Sequence, residues 1–400
     1  MTPATGAVRG VLATVLAAQA LRGLGYGLAA VQLGAVLRGQ GLDAPAVGLV
    51  LAAVVAGSAA ASLALGRWGD RLGRAHAYRL LYLALAGVVL AAGGPTWLLA
   101  LVALSGALST EVVESGPFTT LEQVMLASTN THQPQVVRGF GLYNAVATLA
   151  GAAGALLGAL PVSGRLLGGT LVMVGAGGAV LATRLATLGI EAPRPQGPAA
   201  QPLASSHRVV GRLAALFAVD SLAGGLVVQA YVAYWLGVRY GASTAVIGIV
   251  FAVMGLLQAG SFLAAPLIAA RVGLLATMVF THLPSNLLLA AMPFAPNLSV
   301  AIGLLLSRTC LSQMDVPTRQ AYVMALVPPA ERTPAAAVTN TARYVTRPVG
   351  PALAGLLQPL GLALPFVVAG TAKSAYDLAL WRLFRPVQLP ARTTTSGGAS

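Results

Sequence analysis

Charge is scarce in this chain. Of its 400 residues, 8% are Asp, Glu, Lys or Arg and 57% are hydrophobic. A soluble domain carries about 25% charged residues, so that class is excluded. Cysteine is nearly missing: Cys310 stands alone, which rules out an intrachain disulfide. It falls in an apolar run and reads as a small buried residue. No glycine-rich loop ends in a lysine, so nucleotide-driven work is not expected. His, Cys, Asp and Glu nowhere fall at metal-ligand spacing, and no Ser/His/Asp grouping suggests hydrolysis. The chain is therefore expected to be neither an enzyme nor a holder of metal or cofactor.

What is present is apolar sequence in lengths suited to a bilayer, which takes about 20 residues per helix. Twelve such runs occur, at 10–37, 44–66, 75–94, 96–127, 138–160, 165–187, 209–236, 244–268, 272–293, 297–327, 333–359 and 361–385. The first is too long for a signal peptide and contains Arg22, so it is expected to stay as a helix. The net charge of +14 does not imply nucleic acid, because the arginines lie in short loops on alternate sides of the spans. Arg9, Arg67, Arg71, Arg74, Arg138, Arg184, Arg208, Arg212, Arg271 and Arg382 share one side, against Arg38, Arg165 and Arg239 on the other. This asymmetry places both termini in the cytoplasm and the chain in the inner (cytoplasmic) membrane.

The run IEAPRPQGPAAQPLASSH, Ile190 to His207, has no apolar periodicity and reads as a cytoplasmic linker. The expected organisation is a six-helix bundle over 1–188, a linker over 189–208, a second bundle over 209–385 and a disordered tail over 386–400. The halves match at an offset of about 200 residues: Gly48 with Gly248, Arg71 with Arg271, Gly73 with Gly273, Pro117 with Pro317. Further on, Asn144 and Gly154 match Asn340 and Gly350 at a slightly shorter offset. An ordered series of this kind points to duplication.

The densest charge in the chain is GRWGDRLGR, between the second and third spans. The pattern of Gly66, Asp70, Arg71, Gly73 and Arg74 resembles the signature loop of the major facilitator superfamily of transporters. The second half keeps Arg271 and Gly273 but has Ala270 where the acid belongs and Pro266 in place of the first glycine. The resemblance implies an all-α polytopic membrane protein of twelve transmembrane helices in two pseudo-symmetric six-helix bundles. It also implies that the first, fourth, seventh and tenth helices line a central cavity. Asp70 would then act as a latch at the positive end of the eleventh helix, with Arg71 and Arg74 bracing it or pairing with Glu122 or Glu331.

Deep charge is costly in a bilayer, about 2.5–3.5 kcal/mol on insertion scales, so each such residue is a candidate. Arg22, Glu111, Glu114, Asp220, Arg308 and Asp315 fall on the four expected cavity helices and are read as substrate or proton ligands. Glu111 and Glu114 share a face and have no base on their own helix, which suits proton carriage. Arg22 and Asp220 are read either as ligands or as a fixed ion pair bridging the halves. Asn340, Arg343 and Arg347 form a polar face on the eleventh span. Lys373 and Asp377, four apart, read as a structural pair, and His282 as a lone imidazole with a local hydrogen bond near Pro284. Gly151, Gly154 and Gly158 in the fifth span, and Gly350 and Gly355 in the eleventh, suit close helix packing; the resemblance adds a rocking interface.

The expected function is secondary transport of a small organic solute by alternating access, as a proton-coupled exporter. The alternatives are an uptake symporter or facilitator for a polar or anionic metabolite, and a non-transporting membrane sensor. Expected partners are a small-molecule substrate, a proton as coupling ion and the lipid bilayer, with no nucleic acid, and the chain is expected to act as a monomer.

Overall fold

The structure, a computed structural model, describes residues 5–39, 44–91, 104–109, 112–113, 116–129, 133–159, 164–188 and 203–387. Among the described residues every regular element is helical. Hydrocarbon leaves a spanning backbone no other way to satisfy its own polar groups short of a closed barrel. The first half holds α1 (Thr5–Gly39), α2 (Ala44–Leu72), α3 (Arg74–Ala91), α4 (Pro117–Thr129), α5 (Gln133–Ala159) and α6 (Gly164–Thr187). The second holds α7 (His207–Leu226), α8 (Gln229–Tyr240), α9 (Thr244–Val272), α10 (Leu274–Ala291), α11 (Leu298–Ser312), α12 (Asp315–Leu326), α13 (Arg332–Thr346), α14 (Val349–Leu357) and α15 (Leu364–Phe384).

Six described segments are long and apolar enough to cross a bilayer: Val8–Ala30, Pro134–Leu157, Gly168–Thr187, His207–Tyr240, Val246–Val272 and Leu274–Phe294. The twelve-span count is thus met only approximately. Part of the fourth run lies outside the described residues, and the seventh, tenth and eleventh runs are each built from two helices. Proline accounts for two of those divisions. Pro317 has no N–H to give the carbonyl of Gln313 and its ring crowds that group. The Gln313 carbonyl instead accepts from Val316 N at 3.4 Å, where α11 gives way to α12. Pro348 and Pro351 do the same between α13 and α14, and the Arg347 carbonyl accepts from Gly350 N at 3.1 Å.

The duplication is visible in the backbone. Gly73 separates α2 from α3 with φ of 84°, and Gly273 separates α9 from α10 with φ of 87°. Positive φ at matching sites is a reason for glycine at both. Gly154 of the fifth span and Gly350 of the eleventh pack within their own halves, whereas Gly141 of the fifth span meets the Phe262 carbonyl of the other half. A Cβ on Gly154 would lie 2.0 Å from the Leu24 carbonyl oxygen of α1, and one on Gly350 would lie 2.3 Å from the carbonyl carbon of Gly225 in α7. These two positions therefore hold each bundle together instead of forming the rocking interface. Between halves, α2 packs on α13 and α5 on α9, with smaller contacts of α4 and α5 to α12 and of α4 to α13.

Candidate functional site

Arg22 points inward from α1 and is fully buried. It meets Glu122 of α4 in a two-pronged pair, Nη1 to Oε1 and Nη2 to Oε2, both 2.7 Å. Planar guanidinium against planar carboxylate is the strongest form of such a contact. Three tyrosines complete the shell. The hydroxyls of Tyr78 (α3) and Tyr143 (α5) donate to Glu122, the latter at 2.6 Å. Arg22 donates to the Tyr82 hydroxyl at 3.1 Å and to Gln19 Oε1. The Phe118 ring centroid lies 4.5 Å from the guanidinium carbon. This neutral, enclosed network ties α1, α3, α4 and α5 together. It corrects two expectations: Arg22 pairs with Glu122 and not with Asp220, and Glu122 answers Arg22 and not Arg71 or Arg74.

The second half has a network of its own. Asp220 of α7 accepts from Lys373 of α15, the only lysine in the chain, and from Arg343 Nη1 of α13 at 2.9 Å. His282 of α10 brings Nε2 to 3.9 Å from Asp220 Oδ1 and Nδ1 to 2.9 Å from Asp377 Oδ1 of α15. Asn286 donates to Asp377 Oδ2 at 2.8 Å. Lys373 and Asp377 thus turn to different partners and are not a helix-surface pair, and His282 is not a lone imidazole. Asp315 is neutralised one turn along α12 by Arg319 at 2.6 Å. Arg308 of α11 is half-buried, and its Nε is buried with no hydrogen-bond partner. Arg347 lies half-buried beside the break after α13. Glu111 and Glu114 lie outside the described residues.

A polar seam joins the halves. Asp70 Oδ1 accepts from Arg74 Nε at 2.9 Å and from Thr333 Oγ1, in the first turn of α13, at 3.1 Å. Gly66 permits that approach, since a Cβ there would lie 2.6 Å from the Ala337 Cβ. Arg71 and Arg271 are exposed. Glu331 is taken by Ser205 and Ser206 at the start of α7, with Ser205 N at 2.8 Å and Ser206 N at 3.1 Å. Burial opposes its charge, but these hydrogen bonds prevail and hold the carboxyl below its ordinary range. Deeper in the seam, Asn144 donates to Gln320 Oε1 at 2.9 Å. Asn340 donates to Thr120 and Gln123 at 3.3 Å each. Gly116 N donates to the Tyr344 hydroxyl at 2.6 Å. A small cleft beside these contacts is lined by Gln123, Phe217, Arg319, Gln320, Asn340 and Arg343, among others. Gln320 Nε2 and Asn144 Oδ1 are buried there without partners.

A sequence profile described as Major Facilitator Superfamily matches residues 15–351. The chain belongs to this superfamily. A relative in Saccharomyces cerevisiae, the uncharacterized membrane protein YJR124C, is 23% identical, covering 91% of this chain and 92% of that one. Three solved structures share the major facilitator fold. The human organic anion transporter MFSD10 (TETRAN) matches with TM-score 0.78 and 16% identity, over 93% of this chain and 99% of that one. A bacterial homologue of the iron transporter ferroportin, in an outward-facing state, matches with TM-score 0.70 and 15% identity, over 93% and 98%. The proton:xylose symporter XylE matches with TM-score 0.62 and 15% identity, over 93% and 95%. Within this major facilitator chain, the missed partners carried a signal. Arg22 and Asp220, and Tyr82 and His282, sit at matching positions under the offset of about 200 residues. Each half thus builds its own buried network, with α1 and α3 of the first matched by α7 and α10 of the second.

Proposed function

We propose that this major facilitator protein exports a small organic solute in exchange for protons, by alternating access across the cytoplasmic membrane. One observation carries the reading. The buried ion pairs described above each lie within one half, while the described contacts across the seam are hydrogen bonds in which Asp70 and Arg332, the latter donating to the Ala127 carbonyl, are the charged members. Breaking a buried pair by removing one partner costs about 3–5 kcal/mol, whereas an ordinary hydrogen bond contributes about 1 kcal/mol net. Two stiff halves therefore part along their junction before either comes undone. The arginine asymmetry supports a cytoplasmic position for the Asp70–Thr333 contact, and hence a state closed on that side. Buried titratable groups in the second half, together with Glu111 and Glu114, supply proton carriers.

A second reading, transport of an organic anion, is favoured by Arg308, a half-buried cation whose Nε has no acceptor. MFSD10, which has the same fold, is an organic anion transporter by name. Purified protein screened for ligands by thermal shift, then placed in proteoliposomes under an imposed pH gradient, tests both. Solute movement against its own gradient, with protons moving the other way, is expected. An absence of flux for every stabilising ligand would overturn transport, and flux indifferent to the pH gradient would overturn the proton exchange. Asp70→Ala is expected to cut turnover several-fold with the ligand-induced thermal shift preserved, because the contacts it loses, to Thr333 across the seam and to Arg74 beside it, lie away from the deep charges. Normal turnover in that variant removes the latch.

A further inference from the structure

We propose that His282 is a proton-binding site, and that Asp220 transmits its charge state to Arg343 on the helix that closes the seam. The inference rests on the proton-coupled reading and names where one of its protons binds. The geometry selects a tautomer. Nδ1 lies 2.9 Å from a carboxylate oxygen of Asp377, so it carries the hydrogen and donates. The Asn286 amide, 3.1 Å from the same nitrogen, gives one of its two hydrogens to Asp377 Oδ2; a bare Nδ1 taking the other would set its lone pair against the Asp377 carboxylate. That leaves Nε2 as a bare lone pair, 3.9 Å from Asp220 Oδ1. A proton arriving at Nε2 turns this approach into an ion pair, and the imidazolium then stands between two carboxylates.

The surroundings make such a change felt. Facing His282 are Lys373, Tyr376 and Asp377 from α15 and Asp220 from α7. Asp315, Arg319 and Tyr322 come from α12, and Arg308 from α11, both helices packed on α10. Arg343 from α13 reaches the same Asp220. Asp220, Asp315 and Asp377 already face Lys373, Arg319, Arg343 and Arg308, one cation in excess, while His282 is neutral. An added proton gives Asp220 a third cation. Of the three, Arg343 alone sits on an element bonded across the seam, through Thr333, Asn340 and Tyr344. Like-charge repulsion at one carboxylate therefore weakens the hold of α7 on α13, and protonation favours parting of the halves.

Hydrogen–deuterium exchange of Arg332–Thr346 in lipid nanodiscs, corrected for intrinsic rates, reads this directly. The wild-type protein is expected to lose about tenfold in protection between about pH 8 and pH 6, the window in which imidazole switches are read. His282→Gln, which cannot take the proton, is expected to abolish the step. Asp377→Asn, which removes one of the two anions stabilising the imidazolium, is expected to move the step to lower pH. A step that persists in His282→Gln overturns the inference. If that variant fails to fold, an unshifted step in Asp377→Asn overturns it. A wild-type protein that shows the step but no pH-driven flux fails the transport reading and leaves the proton site standing.

Discussion

Glu122→Gln is expected to lower the melting temperature on the order of 10 °C in detergent. The substitution keeps the shape of the side chain and removes its charge, so Arg22 is left ionised in a fully buried site with no anion. Stranding one member of such a pair costs about 3–5 kcal/mol, which for a domain of this size corresponds to a shift of that order. Tyr78 and Tyr143 donate to different oxygens of Glu122, so in the amide one still donates to oxygen and the other turns to accept from the NH2, which keeps the hydrogen-bond partners while the charge is lost. Removing both charges, as Arg22→Met with Glu122→Gln, is expected to recover more than half of the loss, because no uncompensated ion remains. A Glu122→Gln protein with wild-type melting would mean that the pair does not brace α1 against α4. The same double variant separates bracing from transport: if it melts normally and also transports normally, Arg22 has no part in solute or proton handling.

Asp220→Asn is expected to have the larger functional effect, a loss of flux of more than about 100-fold. One carboxylate here answers Lys373, Arg343 and the approach of His282. Its loss leaves two cations close together in a dry site, where either lysine gives up its proton or α7, α13 and α15 move apart. Asp220→Asn combined with Lys373→Met is expected to regain folding, read by monodisperse elution and a restored melting transition, while flux stays lost because α7 no longer offers Arg343 a carboxylate. Asp315→Asn is the control. It disturbs one pair within a single helix, Asp315 with Arg319, and is expected to melt closer to wild type than Asp220→Asn. Restored flux in the Asp220→Asn, Lys373→Met variant would show that Asp220 serves only to neutralise Lys373.

Much of the architecture was legible before any coordinates. Hydrocarbon demands apolar runs of one length, cytoplasmic loops collect arginine, and duplication leaves paired landmarks such as Gly73 and Gly273, both at positive φ. The contact between Asp70 and the start of α13 followed from the signature loop and the resemblance it carries. Part of the site was legible as well. Asp315 and Arg319 stand four apart, a spacing that brings both to one face of a helix, and the structure pairs them.

The partners of the deep charges were not legible. Spacing along a helix says which residues share a face but not which way that face turns, nor which neighbour it meets. A bilayer interior makes every ion seek an opposite charge, and several were within the count. Whether Arg22 met Asp220 or Glu122 depended on how α1 lies against α4 and α5, a matter of small side chains such as Gly27 and Gly154 letting backbones close to contact. Composition and periodicity by themselves determined a duplicated helical membrane protein with a charged hinge loop. Tertiary packing alone decided that, among the described residues, Arg22 meets Glu122 and Asp220 meets Arg343 and Lys373 within their own halves, and that the described junction contacts are mostly neutral hydrogen bonds, because only the packed helices fix the distances over which ions find one another.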